Sequence, residues 1–362
     1  MAIADTALPV LRSVAESSHT FAPMARAPHG VRGRRLVDAH GRTIRDLRIS
    51  ITDRCNFRCV YCMDPSARFA SADTLLSVAD FARVARIACS LGVRKIRLTG
   101  GEPTMHPRLT EIIATIASGC DAEIAMITNG SLATRDRLSS WRDAGLERLT
   151  ISIDSLREDR FAAITRSQWR VRDVIAAIEG AIAERLTPVK VNAVLVRGIN
   201  DDEAADLAGL AREYAIEVRF IEYMPLDSGH EWDSSRWVSA AETRRAIEQR
   251  HELRSVAGDD PSSTARVFEF ADGAPGRVGF IAPVSAPFCG ACSRLRLTAD
   301  GMVRPCLFSQ DEWDLRALLR SGASDVELAE FLTDAAWNKQ AKHGIDSPGF
   351  HQPQRSMSAI GG

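Results

Sequence analysis

The chain has 362 residues, 45% of them apolar, and a formal net charge of −1 at neutral pH. That length allows one large domain or two ordinary ones, each with a sizeable core. The balanced charge excludes a general electrostatic field for nucleic acid or a membrane surface, and no apolar run approaches the roughly 20 residues of a spanning helix.

Residues 1–35, rich in Ala, Ser, Pro and Arg, read as a flexible leader. Arg32-Gly33-Arg34-Arg35 is basic, but no apolar segment follows it, which argues against a secretory signal. Asp5 and Glu16 argue against a transit peptide. Beyond the leader, strand and helix patterns alternate. Residues 47–51 alternate apolar and polar, as a strand does. Phe81, Val84, Ala85, Ala88 and Leu91 recur at helical spacing up to Gly92. Further strands are expected over 95–98, 123–127, 149–153, 189–196 and 218–223. Helices are expected over 110–116, 135–144, 171–184 and 203–214. About six βα units argue for a parallel sheet with right-handed crossovers. The expected fold class is α/β, an incomplete (β/α)6 barrel of the TIM type over residues 36–226. Residues 227–362 read as an extension covering the barrel's open side. It has short strands around Val267, Val278 and Leu295, a hairpin at Asp300-Gly301, and helices near Leu315 and over 327–339.

Chemistry concentrates in the cysteines, of which there are eight. Cys55, Cys59 and Cys62 stand in a C-x-x-x-C-x-x-C run directly after the first strand, on the loop where α/β folds place their chemistry. Closed structural zinc and ordinary iron–sulfur sites take four protein ligands. Three thiolates leave a coordination position open, which marks a reactive site. Cys289, Cys292 and Cys306 form a second set, again of three. Cys89 and Cys120 sit in apolar, helix-like surroundings and read as small core residues. Clustered thiols in a chain of this size point to a reducing compartment and metal binding rather than disulfides.

Thr99-Gly100-Gly101-Glu102-Pro103 follows the next strand. Paired glycines let backbone approach a ligand closely, and Glu102 can hold a cationic amino group. Arg48, Arg97, Lys190 and Arg219 lie on apolar-patterned strands, where a buried cation is costly unless paired. Either carboxylates such as Glu147, Glu217 or Glu222 neutralise them, or a polyanion in the barrel lumen does.

The cysteine triad with an aromatic before its last member, followed by Gly-Gly-Glu-Pro after the next strand, resembles the radical S-adenosylmethionine superfamily. Four stretches narrow the resemblance to the GTP 3′,8-cyclase family of molybdenum cofactor biosynthesis. They are Asp46-Leu47-Arg48-Ile49-Ser50, Arg219-Phe220-Ile221-Glu222-Tyr223, Phe288-Cys289-Gly290-Ala291-Cys292-Ser293-Arg294-Leu295-Arg296-Leu297, and Ser358-Ala359-Ile360-Gly361-Gly362. The resemblance runs from about residue 35 to the last residue. It implies two 4Fe-4S clusters, S-adenosyl-L-methionine as cofactor, and cyclisation of GTP to (8S)-3′,8-cyclo-7,8-dihydroguanosine 5′-triphosphate. Cys55, Cys59 and Cys62 would hold the first cluster. Cys289, Cys292 and Cys306 would hold an auxiliary cluster whose open iron contacts the guanine base. Tyr61, Gly101, Ser152 and Met224 match positions that contact S-adenosylmethionine. Arg48, Arg97, Lys190, Arg294, Leu295 and Arg296 match positions that contact GTP, with Lys95 and Arg219 adding to that field. No acid–base catalytic residue is assigned. The terminal Gly361-Gly362 would be a flexible tail entering the active site. The resemblance further implies a reductant or electron-donor protein, cyclic pyranopterin monophosphate synthase downstream, and a cytoplasmic location, and it is compatible with a homodimer.

Two departures stand out. Ile127-Thr128-Asn129-Gly130 replaces the family's frequent Thr-Thr-Asn-Gly, removing a hydroxyl expected near the nucleotide. Thr104-Met105-His106-Pro107 stands where an arginine is usual, leaving His106 as a weaker cation or an ordinary loop residue. Two rival readings remain: a radical enzyme modifying a peptide, and a non-enzymatic zinc-binding module.

Overall fold

The computed structural model describes residues 22–227, 232–256, 260–347 and 349–361. Six parallel strands form its centre: β1 Asp46–Ser50, β2 Lys95–Thr99, β3 Glu123–Thr128, β4 Arg148–Ser152, β5 Lys190–Leu195 and β6 Glu217–Glu222. The crossovers carry α1 Val78–Ser90, α2 Leu109–Gly119, α3 Arg135–Asp143, α4 Glu158–Thr165, α5 Val171–Ala183 and α6 Ala204–Tyr214. The expected partial barrel is therefore present. Helix α4 was not legible in the sequence, because its eight residues begin without a side-chain cap and bury only Phe161, Ile164 and Thr165.

The remaining elements are α7 Ala240–Glu248, β7 Leu253–Ser255, β8 Arg266–Phe270, β9 Arg277–Ile281, β10 Arg294–Leu297, β11 Met302–Arg304, β12 Trp313–Asp314, α8 Leu315–Arg320, α9 Asp325–Trp337 and α10 Met357–Ile360. They do more than cover an opening. Strand β10 pairs parallel with β1, and β9 pairs parallel with β6. The result is one sheet in the order β12-β11-β10-β1-β2-β3-β4-β5-β6-β9-β8-β7. The extension thus satisfies the backbone groups of both barrel edges, which would otherwise be open to pairing with another chain. The Asp300-Gly301 turn joins β10 to β11 as expected.

The two-residue period of the strands sorts their side chains. Leu47 and Ile49 of β1, Ile96 and Leu98 of β2, and Val191 and Ala193 of β5 are fully buried and belong to the main core. Arg48, Arg97 and Asn192, on the opposite faces of the same strands, line the lumen. Among the described residues no helix is long and apolar enough to cross a membrane.

Residues 1–21 of the expected leader lie outside the described residues. Residues 22–35 are not free. The Ala27 N–H donates to Asp334 Oδ1 (2.8 Å), Arg32 Nε donates to the same carboxylate (3.1 Å), and the Gly33 N–H donates to Thr333 Oγ1 (3.0 Å). Asp334 lies buried on α9, so this stretch is clamped to that helix. Replacing Asp334 with Ala strands the Ala27 N–H and removes one of the two carboxylates that hold Arg32. The expected outcome is a loss of about 1–3 kcal/mol, with faster proteolysis before residue 35 than in the parent, read by thermal melting and limited digestion.

Candidate functional site

Three loops at the C-terminal ends of β1, β2 and β3 interlock. The cysteine loop packs directly on the Gly-Gly turn: the Gly101 N–H donates to the Thr52 carbonyl (2.8 Å) and the Glu102 N–H to the Arg54 carbonyl (2.7 Å). A Cβ at Gly101 would collide with the carbonyl oxygens of Asp53 and Arg54. The glycine therefore admits the cysteine loop's own backbone, in addition to facing the cavity. Glu102 departs from its expected role. It is buried, and Oε1 accepts from Thr104 N–H (3.0 Å), Thr104 Oγ1 (2.5 Å) and Thr128 Oγ1 (2.6 Å), while Oε2 accepts from Asn129 N–H (2.7 Å). Burial pushes its carboxyl up, and these hydrogen bonds oppose that. It ties the loops together while lining the cavity. Asn129 completes the clamp by donating to Asn56 Oδ1 (2.9 Å) inside the cysteine loop.

All six cysteines of the two triads line one cavity of about 280 Å³. All are free thiols. Burial pushes Cys55 and Cys62 up to about 12 and Cys59 well above its ordinary value. Such thiols ionise when a metal supplies the compensating charge. Cys292 differs. Burial alone would raise it, but the charges of Lys339 and Arg294 bring it down to about 7. Soft thiolates in threes suit iron–sulfur ligation. Among the described residues no three His, Cys, Asp or Glu side chains converge closely enough to hold a single metal ion. Cys89 and Cys120 stay outside the cavity, packed against the core.

The lumen is strongly cationic. Register places Arg296, Arg48 and Arg97 side by side on β10, β1 and β2. Nε of Arg48, Nε of Arg97 and Nη2 of Arg294 are buried without a hydrogen-bond partner. Burial, then the charges of Arg296, Arg97 and Arg294, hold Arg48 well below its ordinary value. Burial brings Arg97 and Arg296 to about 10. The other expected cations are paired, and of these Arg219 also lines the cavity. Lys190 meets Glu217 at 3.2 Å and falls to about 8, chiefly by burial, and Arg219 pairs with the same Glu217. Lys95 meets Glu123 at 3.1 Å. Of the expected nucleotide-binding residues, Arg48, Arg97, Arg294 and Arg296 line the cavity, whereas Lys190 and Leu295 do not. Leu295 is fully buried in the core because it alternates with Arg294 and Arg296 along β10. Its side chain cannot contact a ligand in the lumen.

Tyr61, Gly101, Ser152 and Met224 all line the cavity. The Tyr61 hydroxyl donates to Asp154 Oδ2 (2.6 Å), and burial raises the Asp154 carboxyl to about 6. Asp154 and Asn192 are cavity residues that sequence reasoning missed. The two-residue period from Lys190 could have found Asn192. Ile127 lines the cavity beside Thr150, its register neighbour on β4, so the adjacent strand presents a hydroxyl. His106 is no substitute cation: its Nδ1 accepts the Arg108 N–H (3.1 Å), and burial lowers its basicity.

The C-terminal tail enters the lumen. Arg355 anchors it through Glu312 (2.8 Å) and Asp300 (2.9 Å). The Gly361 carbonyl accepts from Arg296 Nη1 (2.6 Å). Gly361 has φ +81°, and a Cβ there would run into Thr99 Oγ1 and Ser50, so glycine is required twice over. Gly362 lies outside the described residues.

Two family models match the chain, the Radical SAM superfamily over residues 49–211 and Molybdenum Cofactor Synthesis C over residues 216–345. The GTP 3′,8-cyclase of Streptomyces coelicolor is 44% identical over 329 residues, covering 90% of this chain and 96% of that protein. That of Mycolicibacterium smegmatis is 44% identical over 333 residues, 90% and 92% of the two chains. That of Paenarthrobacter nicotinovorans is 43% identical over 358 residues, 94% and 100%. Among solved structures, Streptococcus suis SuiB bound to S-adenosylmethionine aligns with a TM-score of 0.54 at 14% identity, covering 80% of this chain and 68% of that one. That likeness concerns the fold alone.

Replacing Gly101 with Ala should force the cysteine loop off the Gly-Gly turn. The expected outcome is a loss of about 1–3 kcal/mol from overpacking, with depleted iron at the first triad, read by melting temperature and iron analysis after anaerobic reconstitution.

Proposed function

The chain belongs to the GTP 3′,8-cyclase family, and from that premise we propose how its residues divide the work. It is a radical S-adenosylmethionine enzyme with a 4Fe-4S cluster, cyclising GTP to (8S)-3′,8-cyclo-7,8-dihydroguanosine 5′-triphosphate for molybdenum cofactor synthesis. The observation that carries the reading is the shared cavity: both cysteine triads and the unpaired arginines open onto it.

In this reading Cys55, Cys59 and Cys62 hold the first cluster, and Cys289, Cys292 and Cys306 hold a second. When bound, the first cluster and S-adenosylmethionine supply a 5′-deoxyadenosyl radical. Tyr61, Gly101, Ser152 and Met224 surround the cofactor. Arg48, Arg97, Arg294 and Arg296 bind the triphosphate, which carries about four negative charges suited to guanidinium forks. Lys190 and Arg219 share one carboxylate, Glu217, and Arg219 also lines the cavity. The buried walls and the docked tail exclude water, so that reactive species are not quenched. A reductant or donor protein feeds the first cluster, and cyclic pyranopterin monophosphate synthase consumes the product in the cytoplasm.

A zinc module fits less well, because the thiols line a common wall without converging on one ion. A peptide substrate leaves the buried arginines without their anion.

The test is anaerobic incubation of reconstituted protein with GTP, S-adenosylmethionine and a strong reductant. Formation of 5′-deoxyadenosine together with a cyclised nucleotide is expected, and 5′-deoxyadenosine without any change in GTP would sink the assignment. Serine at Cys289, Cys292 and Cys306 together should leave about half of the iron.

The tiering of the cations makes a separate prediction. Arg48→Ala or Arg296→Ala should weaken GTP binding about 10- to 100-fold, the worth of one charged hydrogen bond. Lys190→Met should cost under about 5-fold, as for a pair that is already made. Calorimetry with reconstituted protein reads the difference, and equal losses would contradict it.

A further inference from the structure

One buried charge in the cavity wall is used by none of the roles above. Lys339 follows α9 and is 3% exposed. Its Nζ donates to the carbonyls of Arg294 (3.0 Å) and Pro305. Arg294 lies two residues after Cys292, and Pro305 lies immediately before Cys306. A single ammonium therefore ties together the two segments that present those thiols. Both acceptors of its hydrogen bonds are carbonyls rather than carboxylates. Isolating an ammonium from water with two carbonyls and no counter-charge costs several kcal/mol.

The contrast with Arg42 sharpens the point. Arg42 also braces this loop, donating to the Cys289 carbonyl (2.6 Å) and the Ala341 carbonyl (2.9 Å). It brings its own carboxylate, buried Asp38, and so adds no net charge. Lys339 does add charge, and it faces the second triad: its field acts on both Cys289 and Cys292. The first triad is set differently, with Asp154 and Glu102 as the charged neighbours that raise its thiols.

Resting on the two-cluster reading above, we propose that Lys339 is a positioning residue of the auxiliary site. It fixes the spacing of the Cys292 and Cys306 segments and is the built-in counter-ion for the negative charge of an iron–sulfur group held by three thiolates. Outer partners of this kind are worth about 10- to 100-fold in metal affinity. A fixed positive charge also favours the more negative, reduced state of the group, and so raises its potential.

The experiment uses the full chain with Cys55, Cys59 and Cys62 changed to Ser, so that iron bound after anaerobic reconstitution reports the second triad. In that background Lys339→Met should release iron to a chelator about 10- to 100-fold more readily, and its remaining signal should titrate at a more negative potential. Lys339→Arg should restore most of both properties. Retention of iron at an unchanged potential in Lys339→Met would overturn the proposal. So would an Arg variant as impaired as the Met variant, since that result assigns the effect to shape rather than charge. Failure of the parent background to take up iron would overturn the two-cluster reading itself, and this proposal with it.

Discussion

The lumen of this barrel holds more positive charge than the chain neutralises, and much of the architecture follows from that imbalance. In the lower tier Glu123 answers Lys95 and Arg148, and Glu217 answers Lys190 and Arg219. Two residues beyond Lys95, Arg97 stands abreast of Arg48 and Arg296 on three neighbouring strands, and among the described residues no carboxylate forms an ion pair with any of the three. Like charges so placed repel, and low dielectric magnifies the repulsion. The sheet endures it because its other face is closely packed core, with Leu47, Ile49, Ile96 and Leu98 fully buried. The packing of that face holds the arginines in place at the cavity wall.

The same outlook explains why short motifs far apart in the sequence behave as one device. The cysteine loop, the Gly-Gly-Glu-Pro turn and the Thr-Asn-Gly turn each follow a different strand. Glu102 and Asn129 bind them into a single rigid rim. A metal-ligating loop held by hydrogen bonds to two neighbours keeps its thiols in place before any metal arrives, which lowers the ordering cost of loading. The tail closes the opposite side by a similar economy: Arg355 anchors it outside, and Gly361 threads it past Thr99 and Ser50 within.

Much of this was legible in the sequence where the signal is local. Alternation along 47–51 and 95–98 separated Arg48 and Arg97 from the apolar face of their strands, and spacing grouped six of the cysteines into two sets of three, which line one cavity. Carrying a block of residues over by motif failed where alternation was ignored: Leu295 sits between two cavity arginines and for that reason points away. Contacts between distant segments were not legible. Lys339 reaches Arg294 across 45 positions, and Arg42 reaches Cys289 across 247. Nor does any local pattern reveal that β9 and β10 join opposite edges of the barrel, because a four- or five-residue strand reads the same in any sheet.

The cavity is also polarised, and the polarity matches the chemistry of the two molecules it must keep apart. Around the first triad the buried charges near the cavity are carboxylates, Asp154 and Glu102, and Asp154 is held by Tyr61 at the cavity wall. Around the second triad they are Lys339, Arg294 and Arg296. S-adenosylmethionine carries a sulfonium cation, whereas GTP is a polyanion. Under the proposed assignment, a gradient of fixed charge across one enclosed space favours each at its own end without demanding a separate pocket for either. It also opposes the swapped arrangement, which would set sulfonium against guanidinium and phosphate against carboxylate. Fixed charge of this kind costs no reorganisation when a ligand arrives.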